Sequence, residues 1–228
     1  MGAVVVGGLK KSGKTTLIKH LLDWSNQCSD LSAWGAFKPF DCSLSTKNKL
    51  DLYSDGEIFS KIIKNNPHSS IINPYLMYPD SPFDYATVQS LVKIDLKKLS
   101  QLYKKLTTSY NNNIWIESFD LWHAPIKDDL CWLDWSKKIT NRALWIMTPE
   151  KELFNMNLSQ IILMRDNFSV ASVILNNHSA NRDHHWLQYC WEKIELCYNV
   201  QVLGIYQKIG EDKVASNKKI VKNIYEHY

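Results

Sequence analysis

The sequence predicts an α/β fold with a doubly wound, mostly parallel sheet and helices on both faces. Three observations predict it. Short apolar runs alternate with amphipathic runs of helical spacing along the whole chain. A glycine-rich loop joins the first apolar run to the first helix. The 228 residues, 45% hydrophobic and 22% charged, suffice for one sizeable domain and are short for two, so a single domain over 1–228 is expected.

The first element is the apolar run Ala3-Val4-Val5-Val6. The loop Gly7-Gly8-Leu9-Lys10-Lys11-Ser12-Gly13-Lys14-Thr15-Thr16 follows, and then the amphipathic run Leu17–Leu22. From Gly8 to Thr15 the pattern G-x-x-x-x-G-K-[ST] of a phosphate-binding loop is met, in the strand–loop–helix context it requires. Glycines let the backbone curl so that N–H groups point inward, and the helix N-terminus adds partial positive charge. Lys14 is placed to reach the β- and γ-phosphates, and the Thr15 hydroxyl to ligate Mg²⁺. The fold class is therefore the P-loop NTPase type. The alternative is an ordinary glycine turn.

The first helix is expected from Lys14 to Trp24, with a polar loop over Ser25–Asp30. Ser32–Phe37 reads as a short buried strand, stopped at Lys38-Pro39 because proline cannot donate to a ladder. A lysine at the carboxyl end of such a strand faces the crevice where open α/β sheets bind ligands, or is a solvated loop lysine. Ser54 is a candidate cap for a helix running to about Lys64. Leu91–Leu106 has helical spacing. Asn111-Asn112-Asn113 marks a turn before the strand Ile114-Trp115-Ile116, which ends at Glu117. An acid there is the expected Mg²⁺-side carboxylate, or an exposed or capping glutamate. Helices are expected at Asp128–Ile139, Leu153–Asp166, His185–Tyr198 and Lys218–Tyr228. Strands are expected at Ala143–Met147, Val170–Leu175 and Val200–Ile205.

Composition narrows the function classes. The net charge of +4 is mild and its lysines and arginines are interleaved with acids, so no nucleic-acid patch is expected. Five cysteines, an odd number without a C-x-x-C pair, argue against a disulfide framework and a zinc site. No acid or cysteine stands at metal-ligand spacing around His184-His185. No apolar run approaches a membrane span, and strand one starts too early to leave room for a signal peptide. A cytoplasmic protein is expected. Nine tryptophans suggest a bulky core or a subunit interface.

Taken in order, these landmarks resemble dethiobiotin synthetase over nearly the whole chain. The matching features are the glycine loop ending in G-K-T, Lys38-Pro39, Ser54-Asp55, Asn73-Pro74-Tyr75, Ser81-Pro82 with Ala86, Glu117, and Val173–Asn176 with Leu203-Gly204-Ile205. The resemblance implies an ATP- and Mg²⁺-dependent ligase. It would close the cyclic urea of dethiobiotin from 7,8-diaminononanoate and CO₂ (or bicarbonate) through a phosphorylated carbamate, and work as a homodimer. It implies catalytic roles for Lys14 and Lys38. ATP contacts would come from Gly8, Lys10, Lys11, Ser12, Gly13, Lys14, Thr15 and Thr16. Asn176 would read the adenine edge, with Leu203, Gly204 and the residues after them at the base. Mg²⁺ ligands would be Thr15, Asp55 and Glu117.

The chain departs from the family in two places. Leu9-Lys10-Lys11 replaces threonine and acidic residues, and Ser118-Phe119-Asp120-Leu121 replaces a glycine-rich stretch. Either Cys42 or Ser43 fills the place of the family's serine after K-P. Two alternatives stay open: a nucleotide-binding adaptor or pseudoenzyme (ATP or GTP) without the diamine site, and a related ligase with a different carboxylate or amine substrate. The loop is also similar to that of the accessory GTP-binding protein of molybdopterin-dinucleotide synthesis, which leaves the K-P, N-P-Y and S-P landmarks unexplained.

Overall fold

A computed structural model describes residues 2–28, 31–41, 54–77, 91–127, 129–177, 183–207 and 214–228. In chain order, β1 (Val4–Gly8) runs into α1 (Lys14–Gln27), followed by β2 (Gly35–Phe37) and β3 (Phe40–Asp41). Then come α2 (Asp55–Ile62), α3 (Ser69–Ile72), β4 (Tyr75–Leu76) and α4 (Leu96–Ser109). β5 (Ile114–Glu117), the hairpin β6 (Pro125–Lys127) and β7 (Leu130–Cys131), and α5 (Trp132–Ile139) follow. The last part holds β8 (Arg142–Met147), α6 (Phe154–Asn167), β9 (Val170–Asn177), α7 (His184–Glu192) with a π turn at Lys193–Cys197, β10 (Gln201–Gln207) and α8 (Val214–His227).

Six parallel strands form the main sheet in the order β10-β9-β8-β1-β5-β2. This is the P-loop NTPase-type architecture, with helices on both sides. The buried Val4-Val5-Val6 run puts β1 at the centre, between β5 (Val6 opposite Glu117) and β8 (Val6 opposite Leu144). Because the chain leaves β1 first toward β2 and later toward β8, the crevice at the carboxyl ends opens beside β1. Gly8, Lys38, Glu117 and Asn176 all lie at or just past strand ends on that side.

Most of the aromatic surplus goes into the core. Trp34, Trp115, Trp122, Trp132 and Trp145 are fully buried, and Trp135 nearly so. Trp34 stacks on Trp115 at 4.4 Å between ring centroids, with Tyr225 edge-on at 5.4 Å. Cys28, Cys131 and Cys197 are free thiols. Among the described residues no helix is long and apolar enough to cross a membrane.

Several boundaries differ from the sequence reading. The first helix continues through Ser25, whose buried hydroxyl donates to the Leu22 carbonyl at 2.9 Å, so no loop begins there. The helix expected from Leu91 starts at Leu96, because the Asp95 carboxylate caps the backbone N–H groups of Lys97 and Lys98 at 2.9 and 3.1 Å. The helix expected from Asp128 starts at Trp132, after the short hairpin, where the Asp134 carboxylate reaches back to the Cys131 N–H at 3.2 Å. Asp128 itself, Cys42, Ser43, Ser81, Pro82 and Ala86 lie outside the described residues. Ser54 caps α2 as expected, in a capping box with Glu57.

Candidate functional site

The glycine loop owes its shape to two positions. Gly13 has φ 96°, in the left-handed region where a side chain is strained, and it turns the chain into α1. A Cβ on Gly8 would meet the Ile146 carbonyl at 2.6 Å. Lys11 also adopts a left-handed φ of 61°. Ser12 is buried beneath the curl and its N–H donates to the Leu9 carbonyl at 3.0 Å. Leu9 is buried, whereas Lys10, Lys11 and Thr16 are exposed at the rim.

Lys14 lies folded into the loop. Its ammonium donates to the Gly8 carbonyl at 2.7 Å, the Leu9 carbonyl at 3.0 Å and the Asp120 carboxylate at 3.1 Å. Burial lowers its pKa below the ordinary lysine value, partly offset by Asp120 and Glu117. A buried cation held by two neutral carbonyls and one half-exposed acid is poised for a phosphate.

A second cation occupies the other wall. Lys38, at the end of β2, ion-pairs with Asp55, with Glu117 at 2.9 Å and with Asp41 at 3.7 Å, and lies 3.5 Å from the Thr15 hydroxyl. Burial works to lower its pKa, but Glu117, Asp41 and Asp55 together raise it above the lysine range. Thr15 in turn donates to Glu117 at 2.8 Å and approaches Asp55 at 3.4 Å. Asp41 accepts from the Asn73 amide at 3.0 Å and from the Asp55 backbone N–H at 3.3 Å. Loop, strand ends and the capped start of α2 thus converge on one point.

This donor set fits Mg²⁺. All its atoms are oxygens, one ammonium faces three carboxylates, and the buried Glu117 Oε2 has no partner among the described residues. The Lys38 ammonium stands among the oxygens where a divalent cation would sit. Among the described residues no three His, Cys, Asp or Glu side chains form a metal cluster on their own. Mg²⁺ ordinarily binds one or two carboxylates plus substrate phosphates, which is what Asp55, Glu117 and Thr15 offer.

The structure therefore brings Lys14, Thr15, Lys38, Asp55 and Glu117 together. Asn176 joins them differently from expectation: its amide donates to the Ser12 carbonyl at 2.5 Å, bracing the loop, while its Oδ1 is buried without a partner among the described residues. Leu203 and Gly204 lie mid-strand, below the crevice. Gly204 packs under α8, where a Cβ would meet Ile220 Cγ1 at 2.8 Å. Tyr206, level with Asn176 in the sheet register, is the β10 residue nearer the crevice end, and its hydroxyl bonds His20 Nδ1. Asp41, Asn73 and Asp120 are site residues without a role in the sequence reading. The i,i+3 spacing of Lys38 and Asp41 was the one local signal for Asp41. Phe119 lies against Phe40 at 5.3 Å and Trp132 at 6.4 Å.

Fold and loop define the class of architecture, the P-loop NTPase type. The structure is similar to a plasmid partition protein from Borrelia burgdorferi (16% identity, covering 100% of both chains, TM-score 0.52). It is similar to a putative plasmid partition protein from Borrelia burgdorferi B31 bound to AMPPNP (16% identity, 100% of this chain and 99% of that one, TM-score 0.51). It is also similar to the MinC:MinD cell division protein complex of Aquifex aeolicus (13% identity, 99% and 95%, TM-score 0.53). No protein-family model matches the chain, and no curated protein does.

Proposed function

We propose that this protein binds ATP with Mg²⁺ and transfers its γ-phosphoryl group, with a carbamate as acceptor, as in dethiobiotin synthetase. The observation that carries the reading is the second buried cation. A P-loop lysine alone accounts for nucleotide phosphates. Lys38, held among Asp41, Asp55 and Glu117 at the metal-side wall, would offer a cation to an anionic acceptor once Mg²⁺ neutralised those carboxylates.

In this reading Lys14 holds the β- and γ-phosphates. Thr15, Asp55 and Glu117 would hold Mg²⁺, which would supply positive charge against that developing on the phosphates. Lys38 would face the carbamate formed when one amine of 7,8-diaminononanoate takes up CO₂. The oxygen of that carbamate attacks the γ-phosphorus and ADP leaves. The second amine then attacks the carbamate carbon, phosphate departs, and the cyclic urea closes. The same reading carries a homodimer and one domain over 1–228.

A second reading has its own support. The fold neighbours are plasmid partition and cell division proteins, one of them bound to AMPPNP. Phe119 and Asp120 stand where the resemblance calls for glycines that admit the diamine. A nucleotide-operated P-loop ATPase or adaptor, with water as acceptor, uses the same Lys14 and Mg²⁺ wall. One assay separates the two. The full chain is incubated with ATP, Mg²⁺ and bicarbonate, with or without 7,8-diaminononanoate, and products are read by mass spectrometry. Dethiobiotin formed in step with ADP supports the ligase. ADP release indifferent to the diamine discards it in favour of the ATPase.

A further inference from the structure

The Lys14 ammonium has three N–H groups, and all three are spent: on the carbonyls of Gly8 and Leu9 and on the Asp120 carboxylate. The two carbonyls belong to the curl of the loop itself. Asp120 comes from elsewhere, three residues beyond the end of β5, and its side chain is 44% exposed, against 8% for Lys14. A phosphate reaching Lys14 must take a donor from one of these acceptors. The charged, more exposed acceptor also repels it.

Asp120 sits on a short span between two anchors. Before it, the Ser118 N–H is tied to the Val6 carbonyl at 3.0 Å. After it, the Trp122 N–H is tied to the Gln160 side chain at 2.8 Å, and Trp122 is fully buried against Trp145. Only Phe119, Asp120 and Leu121 lie between these anchors, all three half-buried and outside helix and strand.

We propose that Asp120 is a tethered competitor for nucleotide phosphate: its carboxylate occupies Lys14 in the empty protein and must be displaced for a polyphosphate to bind. The inference rests on the nucleotide-binding reading and deepens it. Asp120 thus sets the affinity of the P-loop, and polyphosphate binding at Lys14 frees the Asp120 carboxylate.

The test is calorimetric titration of the full chain, wild type against Asp120→Ala and Asp120→Asn, with Mg-ATP, inorganic tripolyphosphate and adenosine. Removing a half-exposed charge pair is worth up to about 1 kcal/mol, so both variants should bind Mg-ATP about five-fold more tightly than wild type. Tripolyphosphate should show the same gain and adenosine none. Equal or weaker ATP binding in variants that melt like wild type overturns the competitor, as does a gain that also appears for adenosine. Wild type and variants that all fail to bind Mg-ATP would instead remove the nucleotide reading, and this inference with it.

Discussion

Two buried lysines, Lys14 and Lys38, face the same crevice from opposite walls, and their surroundings have opposite effects. Lys14 gives up water for backbone carbonyls and a single half-exposed acid, so burial dominates and its pKa falls. Lys38 gives up water for three carboxylates, so attraction dominates and its pKa rises. The lesson is that residue type and burial do not set the role; the charge left over does. The Lys14 wall is balanced only by the half-exposed Asp120, and calls for a phosphate once that acid is displaced. The Lys38 wall has two negative charges in excess and calls for a divalent cation.

The largest expected effect breaks the Lys14 side. Lys14→Ala should lower the rate of ADP formation by about 10²–10³-fold, the typical loss for one group aimed at developing charge. Its thermal melt should move little, since a cation with lowered pKa is no anchor of the fold. A drop below about ten-fold in a steady-state ATPase assay would show that Lys14 is not aimed at the transferred group.

Lys38→Met should do the reverse, acting on stability first. Removing one partner of a buried ion cluster costs about 3–5 kcal/mol, or about 10 °C in melting temperature for a chain of this size. Millimolar Mg²⁺ should restore much of the loss by occupying the vacated point. The wild-type sign is fixed by the raised pKa. The stability Lys38 lends is fully present below about pH 10.5, and is lost only as pH rises through its higher folded value. A variant melt that ignores Mg²⁺ would break the comparison.

Asp55→Asn is the next smaller step. It keeps the shape of the Mg²⁺ wall and removes one charge, so the Mg²⁺ concentration for half-maximal activity should rise about ten-fold. An unchanged titration would leave Asp55 as the acid at the start of α2 and nothing more. Gly13→Ala is the mildest. A left-handed φ costs a side chain about 1–2 kcal/mol, seen as a fall of a few degrees in melting temperature. A melt equal to wild type would show the loop relaxing around the new side chain.

How much of this was legible depends on how local each signal is. The phosphate loop, Lys38, Glu117 and the Ser54 cap announce themselves within a few residues, because strand ends and caps are short-range grammar. Asp120 does not. It meets Lys14 only because the pairing of β1 with β5 sets Val6 beside Glu117 and carries the following turn over the loop. Asn73 reaches Asp41 through α3, a single turn too short to show a period, and through the two-residue pairing of β3 with β4. The β6–β7 hairpin lay hidden under helix-compatible residues, and its pairing set the late start of α5. Asn176 was placed at the right end of the right strand, yet its amide is engaged by the P-loop, which no spacing rule could reveal.

The indoles packed on the two faces of the sheet have an optical consequence. Trp34 and Trp115 overlap nearly face to face, 18° from parallel, and Trp122 and Trp145 sit 5.7 Å apart at 40°. Rings this close couple their electronic transitions, so the near-ultraviolet circular dichroism of the native chain should carry signals that neither ring gives alone. The first pair, Trp115 of β5 with Trp34 just before β2, reports the core. The second includes Trp122, two positions from Asp120. The molecule therefore holds an internal reference and an internal probe of its own glycine loop, readable without any added label.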